Sequence, residues 1–175
     1  MRDVDHERTL APSPFPGDDG SASADTRDAL ARASQQATPT AYLSAVAALC
    51  TDRLLVPVVA TATRLGEATG GGLASDKEAE MAVVMLRTAD GRQGMLAFTG
   101  LDSLRAWQSQ ARPVPITLDR LAATAQTEGA TAVLVDFAGP AALVIDGEVM
   151  TSLAAGHRLV ETADGEFGWA ISAPE

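Results

Sequence analysis

The stretch from Asp90 to Trp107, D-G-R-Q-G-M-L-A-F-T-G-L-D-S-L-R-A-W, constrains the fold more than any other part of the chain. Asp90-Gly91 is a tight-turn signal, because glycine supplies the backbone conformation that a two-strand reversal demands. It predicts an antiparallel hairpin of Glu80–Thr88 and Arg92–Phe98 joined through Ala89-Asp90-Gly91. Beyond Phe98, Thr99 and Asp102 stand at helix-start spacing. Thr99 can accept from the Asp102 N–H, and the Asp102 carboxylate suits the positive end of a helix. Leu101, Leu104 and Trp107 then give that short helix its apolar side. The result is a strand–turn–strand–helix unit that contains no obvious nucleophile, metal set or phosphate cradle.

The remaining elements follow from the same punctuation. Helices are predicted at Asp25–Ser34, with Asp25 or Thr26 as cap, and at Thr40–Cys50 after Pro39. Leu54–Ala60 reads as the first buried strand, although Pro57 lacks a ladder donor and argues for an edge or a bulge. Arg112-Pro113-Val114-Pro115 predicts an extended connector. Thr117 is placed to cap a helix over Leu118–Glu128 with Leu121, Ala122 and Ala125 inward. Ala132–Asp136 is a continuous apolar run, the pattern of a central strand covered on both faces. Ala142–Ile145 continues as a strand, Asp146–Ala155 as a helix, and Arg158–Thr162 with Glu166–Ile171 as a closing hairpin. The fold class is therefore α+β: a mixed, largely antiparallel sheet with several short helices packed on it, preceded by a helix and a flexible arm. The arm is expected over residues 1–24, where three prolines precede Gly17-Asp18-Asp19-Gly20, and one domain over residues 25–175.

Charge narrows the function. The chain carries a formal −10 from 23 acidic and 13 basic side chains, and it has no basic run. Duplex nucleic acid is bound through clustered Lys and Arg that displace counterions, so direct duplex binding is not expected. Apolar residues are 46% of the chain, enough for a core, but no apolar run approaches the roughly 18 residues of a membrane span. Without a visible signal peptide, a cytoplasmic location is expected. Cys50 is the single cysteine, which rules out an internal disulfide, and it sits in an Ala-rich helix pattern where a buried, inert thiol is the ordinary outcome.

Catalytic chemistry finds little purchase. His6 lies in the arm, and His157 follows a helix end where an imidazolium would simply favour the dipole. No serine occupies a nucleophile elbow. Gly70-Gly71-Gly72 lacks the strand, helix and Lys-Ser/Thr pair of a phosphate loop, and Asp76, Glu78 and Glu80 lack the pattern of a calcium loop. No cofactor or metal is expected. Asp136 has two open roles: a turn residue satisfying the Ala138–Gly139 amides, which is the commoner one, or a working carboxylate at a strand end. Trp107 either packs its helix on the sheet or anchors a partner together with Arg105 and Arg112, since aromatics and Arg dominate interface energetics.

From roughly Arg53 to Gly156 the chain resembles the SseB amino-terminal-domain family. The residues that carry the likeness are L-L-V-P-V-V-A at Leu54–Ala60, D-G-R at Asp90–Arg92, and L-A-F-T-G at Leu96–Gly100 followed by Trp107. P-V-P at Pro113–Pro115, and the strand Ala132–Asp136 leading into Ala138-Gly139-Pro140, add to it. The resemblance implies a small cytoplasmic bacterial protein, and the Arg-over-Lys and Ala bias suits an actinobacterial source. It supplies no catalytic residues.

Two functions are expected on these grounds. The first is a non-enzymatic protein-interaction or regulatory module that presents Phe98, Arg105, Trp107 and Arg112 to a protein partner. The alternative is a small-molecule-binding or enzymatic domain using a cleft near Asp136 and the Gly70–Gly72 loop. Self-association through a strand edge is compatible with either.

Overall fold

The computed structural model describes residues 15–61 and 80–171. Ser23, in extended conformation, accepts the Thr26 N–H on its hydroxyl and starts α1, Ala24–Gln36. This cap lies two residues before Asp25 and three before Thr26, the two caps expected. Thr26, Ala29, Leu30 and Ala33 fall at helical spacing and form the buried stripe of α1. Thr38 caps α2, Pro39–Thr51, with proline in its first turn. Half of the buried positions of α2 are alanines, alongside Val46, Leu49 and Cys50, and these small side chains allow α1 to lie close against it.

Nine strands follow among the described residues. β1, Arg53–Thr61, runs between β2, Glu80–Val83, and β5, Arg112–Thr117, antiparallel to both. A second sheet has the order β3-β4-β6-β7, from β3, Met85–Arg87, β4, Gln93–Ala97, β6, Ala132–Val135, and β7, Leu143–Asp146. Only β4 and β6 are parallel in it. β8, Arg158–Glu161, and β9, Phe167–Ala170, form the closing hairpin as expected, and β8 packs on α2. The two larger sheets meet where Leu55 and Phe98 exchange both backbone hydrogen bonds, at 2.8 and 2.9 Å. The predicted hairpin is present over Met85–Arg87 and Gln93–Met95, turned by Gly91 at φ +88°, whereas Glu80–Val83, beyond a break at Val84, pairs with β1 in the other sheet.

Two expectations about proline change. Pro57 lies in the middle strand of its sheet, opposite Pro113, and residues 112–117 are a strand rather than a connector. The Leu55 backbone groups are spent on Phe98, so the Leu55–Pro115 pair is one that exchanges no hydrogen bonds. Antiparallel pairs alternate, so Pro57–Pro113 belongs to the same class. The prolines occupy ladder positions where no donor is needed.

Period-2 alternation along β4 divides the core. Met95 and Ala97 join Leu54, Val56, Val133 and Val135 under α2, α4 (Leu118–Thr127) and α5 (Gly147–Ala154). Leu96 and Phe98 face the other way, into a smaller cluster with Leu55 and Leu104 of α3, Leu101–Trp107. β6 is thus covered on both faces, as its unbroken apolar run requires. No helix among the described residues is long and apolar enough to cross a membrane.

Residues 15–23, within the span expected to be a flexible arm, are tied down. Arg53, only 7% exposed, donates to both Asp18 carboxylate oxygens at 2.7 and 2.8 Å and to the Ser21 carbonyl at 2.7 Å. Gly20, at φ +83°, gives its carbonyl to the Leu101 N–H, and a Cβ there would come 2.2 Å from a Leu101 methyl. Only glycine fits this approach.

Candidate functional site

The parallel strands β4 and β6 end side by side, and chain connections leave from both. Carboxyl ends of adjacent parallel strands are recurrent ligand positions because the connections there diverge and leave a crevice. Here the crevice is a cleft of about 560 Å³ with a mostly apolar lining. Arg27, Asp28, Leu30 and Ala31 of α1 form one wall, and Asp102, Ser103 and Ala106 of α3 another. Asp136 and Ala138–Ala141 close the third side, and Phe98 is the floor.

Asp136 organises the strand end. Its backbone is left-handed at φ +45°, a region that aspartate tolerates better than most residues. The expectation that its carboxylate caps the following turn needs correction: the Gly139 N–H goes to the Asp136 backbone carbonyl, at 2.8 Å. The carboxylate, in a residue 7% exposed, instead accepts from the Thr99 N–H at 3.1 Å and the Thr99 hydroxyl at 2.6 Å. Thr99 is consequently no helix cap. The N-cap of α3 is Gly100, without a side-chain hydrogen bond, and Thr117 likewise starts α4 without one.

Arg27 completes the chain of contacts. Its Nε donates to the Thr99 hydroxyl at 3.3 Å, and its two terminal nitrogens grip Asp102 at 2.6 and 2.5 Å. This fork-to-carboxylate geometry is the strong form of the pair. Hydrogen bonds from Arg27 hold the Asp102 carboxyl below the usual carboxylate range, and the same bonds raise the guanidinium. The pair is half open to solvent, at 40% and 64% side-chain exposure, so it positions side chains more than it adds stability.

The sequence-predicted contact residues divide. Phe98 is buried and offers a partner nothing beyond the cleft floor. Trp107 is half-buried, stacked on Phe98 at 5.5 Å and edge-on to Phe137 at 6.3 Å, so it props that floor from below. Arg105 is exposed beside Asp102, at a shallow depression that also takes in Asp19–Ala22. Arg112 is exposed at the start of β5, opposite Val58, and does not line the cleft. Asp136 does line it, whereas Gly70–Gly72, Asp76 and Glu78 lie outside the described residues. Sequence reasoning missed Arg27, and it assigned Thr99 and Asp102 to helix capping alone.

Ser103, the hydroxyl side chain in the cleft wall, donates to the Gly100 carbonyl at 3.0 Å. His157 packs against Trp169, far along the chain from this wall, and burial pushes the Cys50 thiol up. No cluster of His, Cys, Asp and Glu that could hold a metal occurs among the described residues. No nucleophile with an adjacent base lines the cleft among the described residues.

The α+β architecture, with its cleft at the end of one parallel strand pair, has a family. The chain belongs to the SseB family: the family model described as SseB protein N-terminal domain matches residues 27–152. The match begins at Arg27 and takes in every residue of the cleft wall. Searches among curated proteins and among solved structures give no match.

Proposed function

We propose that the chain is a non-enzymatic protein-interaction or regulatory module, and that its partner engages the cleft between α1, α3 and the Asp136–Ala141 loop. One observation carries this reading. The cleft wall is mostly apolar, Arg27 is bound to Asp102 and Asp136 to Thr99, and the remaining charged side chain, Asp28, is exposed. Catalytic sites keep a nucleophile or a base free for substrate, whereas partner sites offer apolar area inside a polar rim.

Affinity capture at low salt tests the proposal with wild type, Trp107→Ala and Ala106→Trp. Ala106 is exposed on the cleft wall, so the indole fills the cleft without disturbing the core. The expected result is a stoichiometric protein partner on wild type, its recovery cut at least about tenfold by Ala106→Trp and weakened by Trp107→Ala. Absence of any stoichiometric partner, or recovery unchanged by Ala106→Trp, refutes the proposal.

A second reading has one observation in its favour. A volume of about 560 Å³ at paired strand ends is the size and place of a small-ligand site. A thermal-shift screen of metabolites would support it through a melting rise specific to one compound and lost in Ala106→Trp.

A further inference from the structure

We propose that the cleft receives the arginine or lysine side chain of a partner polypeptide, with its aliphatic stem along Ala31, Ala106 and Pro140 and its cationic head on Asp136. This rests on the reading of the cleft as the partner site and names the chemistry of what enters it.

The argument starts from Asp136. It is 7% exposed and lines the cleft, yet no Lys or Arg ion-pairs with it among the described residues. The nearest candidate, Arg27, is committed bidentately to Asp102; it lies close enough to feel the Asp136 charge but makes no hydrogen bond to it, the Thr99 hydroxyl standing between them. Buried carboxylates are ordinarily paired with a cation, because burial strips their hydration. Each Asp136 oxygen accepts one hydrogen bond from Thr99, and a carboxylate offers about four acceptor sites, so capacity remains for a further donor.

The surroundings select the same ligand. Asp28 and Asp102 stand on the wall with Asp136, against Arg27 as the one cation among the described lining residues. The chain as a whole is at −10. An anionic or neutral polar group would lose hydration against such walls without compensation. A long basic side chain lays its methylenes along apolar surface and carries its charge at the tip, which matches an apolar cleft with a buried carboxylate.

The test titrates the full chain with blocked fluorescent peptides carrying arginine, lysine, norleucine or glutamate between two leucines. Arginine and lysine peptides should bind roughly tenfold or more tighter than the norleucine peptide, with glutamate weakest and the preference shrinking as salt rises. Asp136→Asn suits the left-handed backbone and should bring the arginine peptide within about threefold of norleucine. Ala138→Lys leaves the Asp136–Thr99 hydrogen bonds in place, offers the cleft an internal ammonium, and should erase the same preference. The assignment is overturned if norleucine binds as well as arginine, if both variants keep the preference, or if no peptide binds. It is also overturned if butylguanidinium alone binds as tightly as the arginine peptide, since the cation would then be a small molecule. Peptide binding that Ala106→Trp abolishes but charge does not affect would remove the cation and leave the cleft standing. Binding indifferent to Ala106→Trp would remove the cleft itself.

Discussion

Thr99 shows how a fully buried polar residue is sustained. Its N–H and hydroxyl donate to Asp136, its hydroxyl oxygen accepts from Arg27, and its carbonyl accepts from Arg53 at 2.6 Å. Every polar group of the residue has a partner, which is the condition for burying it. Arg53 performs the same task from the opposite side and fastens residues 18–21 to the strand beneath. Hydrogen bonds from the Arg53 guanidinium hold the Asp18 carboxyl below its ordinary range. A depressed native pKa stabilises the fold fully above the unfolded value of about 3.9, and that contribution is lost as pH falls through the native value. Asp18→Asn is therefore expected to lower stability by about 1.5–3 kcal/mol at pH 7, the range for a charged hydrogen bond. In urea unfolding the gap from wild type should close below about pH 4. A gap that stays constant down to pH 3 would show that the carboxylate charge is not what holds the segment.

At the level of elements, the proline strands carry the sharpest consequence. β5 pairs with β1 on one side only, and its prolines occupy positions whose backbone groups face away from β1. Pro113 and Pro115 thus remove donors from an edge that could otherwise template a second chain. Replacing both with threonine should leave stability nearly unchanged and raise concentration-dependent self-association in sedimentation velocity. Monomeric behaviour of the double variant at high concentration would contradict this account of the edge.

The same elements show what a sequence makes legible. The Asp90–Trp107 unit could be read because turn and strand signals are local, and β6 because an unbroken apolar run has one common meaning. Residues 112–117 read as a connector because proline's missing donor counts against a strand until the hydrogen-bond phase of its neighbour is known. Thr99 read as a cap because capping is a three-residue pattern, whereas its true partner lies 37 residues away. Arg27 and Asp102 are 75 residues apart, and no periodicity in either segment announces their pairing. The cleft was legible only as a carboxylate at a strand end.

For the whole molecule, the two faces of the β4–β6 sheet have separate duties. One is sealed by the helices over the main core. The other carries α3 and the small cluster around Phe98, and the cleft opens at its rim. The family match runs from the first cleft residue of α1 into α5 and leaves out the β8–β9 hairpin, so the site lies wholly within the shared domain. Hydrogen–deuterium exchange of the full chain, with and without the captured partner, locates the contact directly. Protection is predicted in Arg27–Ala31, Asp102–Ala106 and Asp136–Ala141, with the β8–β9 hairpin and the β7 edge unchanged. Protection confined to that hairpin or edge, with the three cleft segments exchanging as in the free chain, would contradict the account.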